Sequence, residues 1–396
     1  MKDFQHPIRT ASPYFLVFFL LGALGYSLHG TSLPYLAEEV GVELTSLGYL
    51  FSTRSFGYLL GSFFAGRLYD RYPGHKIMAG LLFLIGLTAV FIPLSPVVYL
   101  MVLLIFLAGI GVGGSDVGGN TLVLWRFKDR SGPYLNALYF FAGVGGIAAP
   151  LLLEYFLSRD LSFEWAYWFF AVLVLPIAIW LLIKPSPNIP TAGEFEGRSE
   201  ADYRLVIFFG ILFFIYVGID VSFVGWVYSY VLVTEVGSSS QAAILTSAYW
   251  FAITAGRLGM IFAAAHIHPR PIIWGSMCGA VVSLGFFLLF PGSLSAAAVG
   301  TVGLGLSTAA LLPMSLAYAE RSMPIRGKIT GVLWVFGSSG SIITPWLAGN
   351  LMGWINPIAL VLLLLLYAVI GLLIFFVLNQ YQSRSSGLRG ESSLDS

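Results

Sequence analysis

Charge is scarce in this sequence. Only 10% of its 396 residues are Asp, Glu, Lys or Arg, against about a quarter in soluble domains. A soluble protein of this length could not cover its surface with so few charges. Cysteine is nearly absent too: Cys278 stands alone, so no disulfide closes within the chain and no cysteine cluster binds a metal. Neither sign of charge dominates, with 20 Lys+Arg against 19 Asp+Glu and a net charge of +1. A nucleic-acid partner is therefore not expected. A cleaved signal peptide is not expected either, because the first apolar stretch is too long and lacks a cleavage-like end. These absences exclude a secreted enzyme, a metal-cluster protein and a disordered or collagen-like chain.

What is present is hydrophobicity, at 58% of residues, gathered into long unbroken runs. A bilayer-crossing helix needs about 20 mainly apolar residues. Windows of that length predict twelve spans, near 14–36, 46–69, 76–95, 97–125, 132–156, 164–183, 205–234, 240–264, 271–291, 294–319, 328–352 and 355–379. The runs do not alternate, which excludes a β-barrel. The expected fold is an all-α integral membrane protein. With the N-terminus in the cytoplasm, Arg67, Arg71, Lys76, Arg126, Lys128 and Arg130 fall on the cytoplasmic side and Arg159 falls outside. Both termini are then cytoplasmic, in a multi-pass protein of the cell (inner or plasma) membrane.

The polar stretch 185–203 is rich in Pro, Gly, Ser and acidic residues and reads as a linker. It separates an N-terminal six-helix half, 1–184, from a C-terminal half with its tail, 204–396. The halves resemble each other. Gly66-Arg67-Leu68 is echoed by Gly256-Arg257-Leu258, and Gly145–Pro150 by Gly340–Pro345. Gly111, Gly113 and Ser115 are echoed by Gly303, Gly305 and Ser307. Two pseudo-symmetric halves are typical of secondary transporters.

The loop after the second span reads Gly66-Arg67-Leu68-Tyr69-Asp70-Arg71-Tyr72-Pro73-Gly74-His75-Lys76. It resembles the loop 2–3 motif of the major facilitator superfamily, Gly-x-Leu-x-Asp-Arg-x-Gly-Arg-Lys, with one residue inserted and His75 in place of Arg. The resemblance implies the major facilitator fold and a rocker-switch transporter. It also implies that Gly66, Asp70, Arg71 and Lys76 form a gating motif on the cytoplasmic side. Further segments are Asp116-Val117-Gly118-Gly119-Asn120, Asn136–Gly143, Tyr216–Ser222 with Gly225-Trp226, Tyr249-Trp250 and Thr344–Gly349. Together they resemble the fucose:proton symporter and sodium-dependent glucose transporter branch of that superfamily. That branch usually has Glu where Asp220 stands and His where Tyr139 stands, so the resemblance implies a substrate-facing role for Tyr139.

Charge inside hydrocarbon costs several kcal/mol, so it needs a partner or a watery cavity. Three residues stand out. Asp116 lies ten residues before Arg126, about 15 Å into the membrane. Asn120 shares its helix face. The pair reads as a proton or cation site beside a sugar-binding amide, or as a structural partner of Arg54. Arg54 lies fourteen residues before Leu68, about 21 Å in, within reach of Asp116 if the second and fourth spans are neighbours. It reads as a coupling group or as a static counter-ion. Asp220 lies sixteen residues after Arg204, about 24 Å in, with Trp226 and Tyr228 close behind. A carboxylate with aromatics suits sugar recognition; the other reading is an acid that only wets an entrance.

Trp250 fits a cavity or packing equally. His29 lines the cavity or is a hydrogen-bonded packing histidine. Arg257, read near the cytoplasmic end of its span, fits the gating set as an anchor or interface residue. His266 and His268 supply too few donors for a metal. No Ser–His, Cys–His or Glu-x-x-His grouping lies within the spans, so no enzyme activity is expected. The expected function is proton-coupled uptake of a monosaccharide or similar polar solute. Sodium coupling, or proton-driven export of amphipathic compounds, are the alternatives. A sensor that binds without transporting also fits. No cofactor is expected beyond the coupling ion, H+ or Na+; the expected partners are the solute and the lipid bilayer, and the expected form is a monomer.

Overall fold

A computed structural model describes residues 2–41, 49–189 and 202–392. Among these the regular structure is helical throughout. Helices satisfy every backbone N–H and C=O within one segment, which hydrocarbon demands. The first half comprises α1 (Lys2–Leu20), a π-helical segment (Leu21–Ser27), α2 (Leu28–Thr31), α3 (Leu33–Glu39), α4 (Tyr49–Tyr69), α5 (Gly74–Phe91), α6 (Val98–Phe127), α7 (Ser131–Leu157) and α8 (Glu164–Ile183). The second comprises α9 (Tyr203–Val233), α10 (Ser239–His266), α11 (Pro269–Leu289), α12 (Leu294–Thr308), α13 (Leu311–Ser322), α14 (Gly327–Trp354) and α15 (Ala359–Ser392). Ten stretches are long and apolar enough to cross a membrane. One of them, Val98–Leu157, holds both α6 and α7. The remaining expected span is α4, which is more polar because it carries Arg54 and Arg67. The helices are consistent with twelve crossings.

Two expected spans are interrupted. The first passes through the π-helical segment and breaks again at Ser32, where α3 begins with a proline in its first turn. The span expected over 294–319 breaks at Ala309 and Ala310. Pro313 lies just beyond, and a proline removes an N–H and crowds the carbonyl four residues back, here that of Ala309.

The chain forms two compact units: Met1–Phe195 with Ile325–Val335, and Glu196–Pro324 with Phe336–Ser396. The C-terminal half expected as 204–396 thus gives up the start of α14 to the first unit. Most of the linker expected over 185–203 lies outside the described residues. Inside the first unit α4 packs along α6, α5 packs on α6 and α8, and α1 packs on α7. Inside the second, α10 packs on α12, and α11 packs on α12 and α15. The order of contacts α4–α6–α5 recurs as α10–α12–α11.

Apolar side chains gain little from meeting each other in lipid, so helices associate by close backbone approach at small residues. The α4–α6 contact obeys this rule. Gly57 and Gly61 of α4 lie against the Phe106 and Ile110 carbonyls, while Gly109 and Gly113 of α6 lie against the Arg54 and Tyr58 carbonyls. A second tie joins α1, α5 and the end of α8. His75 is buried; its Nδ1 is 3.1 Å from the Lys184 carbonyl and its Nε2 is 2.8 Å from the Tyr14 hydroxyl. A carbonyl only accepts, so Nδ1 carries the proton and Nε2 accepts from Tyr14. The residue that departs from the loop motif is therefore a structural cross-link.

Gly109→Ala should place a Cβ on the Arg54 backbone carbonyl and force the two helices apart. A loss of about 1–3 kcal/mol is expected, seen as a lower melting temperature in detergent. Gly80→Ala, where an added Cβ meets nothing within 4 Å, should leave melting unchanged or slightly raise it. Equal melting of the two variants would refute the close-approach argument.

Candidate functional site

In the first unit the polar residues converge on Asp116. Its side chain is only 3% exposed, and α6 brings it between α4 and the π-helical segment. The Tyr26 hydroxyl donates to Oδ2 at 2.8 Å and the Tyr58 hydroxyl donates to the same oxygen at 2.6 Å. Asn120 Nδ2, one turn along α6, donates to Oδ1 at 2.9 Å. The Trp334 indole N–H, from α14, also donates to this carboxylate. Asn120 Nδ2 is in turn 3.1 Å from the Tyr139 hydroxyl, and Tyr139 stands edge-on to Phe18. A buried carboxylate is tolerable when its lone pairs are filled, and here four neutral donors fill them.

Arg54 does not pair with Asp116, contrary to the counter-ion reading. The two tyrosine hydroxyls already occupy Oδ2, and the Arg54 guanidinium donates instead to the Gly25 carbonyl. Its Cζ also lies 6.0 Å from the centre of the Tyr26 ring. His29 sits next in this region, 8% exposed, edge-on to Tyr167. Tyr26 is 45% exposed although its hydroxyl reaches Asp116.

The loop motif lies elsewhere in the same unit. The Asp70 carboxylate accepts from the Gly327 N–H at 2.7 Å and the Lys328 N–H at 2.8 Å, capping α14. Two N–H groups without a partner inside the helix, and the positive end of the helix dipole, favour an acid there. Gly66 lets the two backbones meet, since an added Cβ would fall on the Gly327 carbonyl. The Trp125 indole N–H donates to the Ile325 carbonyl at 3.1 Å. Arg71 and Lys76 are exposed. Burial raises the Asp70 pKa above the ordinary carboxylate value, opposed by the two backbone N–H groups and by Arg326 and Lys328. A raised carboxylate holds its proton more tightly in the folded protein, so it favours the fold below that pKa and costs stability as pH rises through it.

In the second unit Asp220 accepts a hydrogen bond from the Tyr249 hydroxyl of α10. That hydroxyl also lies 3.1 Å from Thr308 Oγ1 of α12. Arg257, two turns beyond Tyr249, is close enough for its charge to act on both Asp220 and Tyr249. It is half-buried and acts electrostatically on this group. Its sequence counterpart Arg67 behaves differently, donating to the Phe63 carbonyl and stacking 3.7 Å from the Phe63 ring centre. The Trp226 indole N–H donates to the Pro345 carbonyl at 2.8 Å, and its ring lies over Gly349. Trp226 therefore packs α9 against α14. Tyr228 and Trp250 are 38% and 46% exposed.

The sequence reading missed Tyr26, Tyr58 and Trp334 around Asp116, and Thr308 beside Asp220. Tyr58 could have been found, because it lies four residues after Arg54 on the same face of α4.

Apolar helices in two units, each with a carboxylate held by a tyrosine hydroxyl, define a polytopic membrane protein with polar groups among its helices. The chain belongs to the Major Facilitator Superfamily, whose model matches residues 15–292; this is a superfamily of transporters, not enzymes. The sodium-dependent glucose transporter 1A of Mus musculus is 26% identical over 397 residues, covering 90% of this chain and 92% of the mouse protein. Among solved structures, a variant of the E. coli fucose:proton symporter FucP has a TM-score of 0.71 at 15% identity, covering 95% of this chain and 98% of that one. The proton:xylose symporter XylE bound to 6-bromo-6-deoxy-D-glucose has a TM-score of 0.70 at 16% identity, covering 92% and 94%. Both structures share the fold.

Asp70→Ala should remove the cap of α14 and cost about 1–2 kcal/mol, read as a lower melting temperature in detergent. Asp70→Asn, which keeps one carbonyl acceptor, should lie between Ala and the native protein. An unchanged melting temperature for Asp70→Ala would show that the cap adds nothing.

Proposed function

We propose that this protein is a secondary active transporter that takes up a monosaccharide or similar polyhydroxylated solute with protons, by rocker-switch alternating access. The observation that carries this reading is Asp116: a carboxylate deep in the membrane whose hydrogen-bond partners among the described residues are all neutral donors. When Asp116 takes up a proton, its own O–H needs an acceptor. Trp334 and the Asn120 amide nitrogen can only donate. Tyr26 and Tyr58 can rotate their hydroxyls and accept. The proton stays on Asp116, whose O–H then donates to one of these hydroxyls, and protonation removes a charge that makes conformational change costly.

The names of the relatives support a sugar: the mouse protein is a glucose transporter and the two structural neighbours are sugar:proton symporters. We assign Asn120, Tyr139, His29, Tyr228 and Trp250 as solute-facing residues, and Asp116, Asp220 and Arg54 as the charged groups that serve coupling and recognition. Gly66, Asp70, Arg71 and Lys76 form the gating segment. The protein acts as a monomer in the cell membrane with both termini cytoplasmic. A second reading, sodium coupling, rests on the word sodium in the name of the mouse relative. Oxygen ligands suit a hard cation, and the nitrogen donors on Asp116 present hydrogens instead, which favours the proton.

Counterflow and gradient-driven uptake of labelled monosaccharides in proteoliposomes test the proposal. An inward proton gradient should drive accumulation and a sodium gradient should not. Asp116→Asn should abolish accumulation while leaving exchange. Accumulation that survives in Asp116→Asn would remove Asp116 as the coupling group, and sodium-driven uptake without a proton gradient would replace the proton by sodium.

A further inference from the structure

Arg54 carries a charge that proton coupling at Asp116 leaves unused. It stands mid-span on α4, half-buried, about 21 Å from the cytoplasmic end of the helix. Its partners among the described residues are the Gly25 carbonyl and the face of Tyr26. Neither carries a charge. The hydroxyls nearest to it, those of Tyr26 and Tyr58, already donate to Asp116. A guanidinium has five N–H donors in a planar fork, and within hydrocarbon a lone cation needs an anion or water.

His29 supplies an independent observation. It is 8% exposed, and neither ring nitrogen has a partner at hydrogen-bond geometry, the Leu24 carbonyl acting on the ring from beyond it. The ring is close enough to Arg54 to feel its charge. Buried polar groups of native proteins are normally satisfied, so two unsatisfied nitrogens beside a cation without an anion mark a place for a ligand. The Tyr26 ring, 6.0 Å from the Arg54 guanidinium carbon, is 45% exposed beside it.

We infer that Arg54 and His29 receive an anionic group of the transported solute, so that the preferred substrate is a sugar carrying a carboxylate, such as a hexuronate, rather than a neutral hexose. The inference rests on the sugar-transport reading above and narrows it. A carboxylate matches the guanidinium fork in a two-pronged, charge-assisted pair. His29 adds an N–H to the same carboxylate or to a neighbouring hydroxyl. The solute then brings the directly bonded anion that Arg54 lacks, and it leaves with that charge on release.

Counterflow with the full-length protein in proteoliposomes tests this, using labelled glucuronate and labelled glucose, each challenged by unlabelled glucuronate, glucose and lactate. Glucuronate should compete at about tenfold to hundredfold lower concentration than glucose, the usual reach of a charge-assisted hydrogen-bonded pair. Arg54→Gln should erase that preference, so that glucuronate and glucose compete equally, while Arg54→Lys should keep part of it. If Arg54→Gln does not fold, the competition ratio in the native protein decides alone. Glucose competing as well as glucuronate would overturn the inference and leave the sugar-transport reading standing. Lactate competing as well as glucuronate would overturn the inference through its sugar half, and no counterflow with either labelled compound would overturn both readings.

Discussion

A charge inside hydrocarbon must be answered atom by atom, and the arrangement of this protein depends on how it answers Asp116. The carboxylate draws donors from four separate places in the sequence: Tyr26, Tyr58, Asn120 and Trp334. Each must arrive within hydrogen-bond distance, so the helices that carry them have to approach closely. Glycines at the α4–α6 contact provide that approach, since a side chain there would fall on backbone. Polar satisfaction and close packing are thus one requirement met by two residue types. Asp220 is answered more sparingly, by Tyr249 and by the charge of Arg257.

The two carboxylates divide the chemistry differently. Asp116 is held by neutral donors, while the arginine on the neighbouring helix turns to a backbone carbonyl. Asp220 has its arginine within electrostatic reach. The halves share a pattern of helices and glycines, but the polar groups placed on that pattern differ. This is the expected result when packing constrains both halves and chemistry constrains each one separately.

Much of the fold was legible because hydrocarbon enforces it: long apolar runs, short loops and rare charges admit little but a helical bundle. Arg54, Asp116 and Asp220 were legible as well, since depth alone makes a charge conspicuous. Their partners were not. Tyr26, Tyr58 and Tyr249 are ordinary aromatic residues in a chain where aromatics make up 16%, and nothing local marks the ones whose hydroxyls reach an acid. Arg257 repeats the triplet of Arg67, yet its charge acts on Asp220 and Tyr249, which the triplet does not reveal. The pairing of Arg54 with Asp116 failed for a related reason: proximity of two helices does not reveal that tyrosines stand between their charges. The break at Ala309 was signalled by Pro313, but the π-helical segment carries no comparable mark.

That segment, Leu21–Ser27, sets the phase of the later residues on the first span. Each residue added to a helix turns the remainder by about 100°, and a π turn in an α-helix amounts to one residue more than the regular count. Tyr26 and His29 therefore face their present neighbours by virtue of chain length, not only of side-chain type. A relative that keeps both residues but lacks the extra one would match this sequence well by eye and still point them elsewhere. For this span, identity in an alignment is a weaker guide to shared chemistry than the number of residues between Leu20 and Leu28.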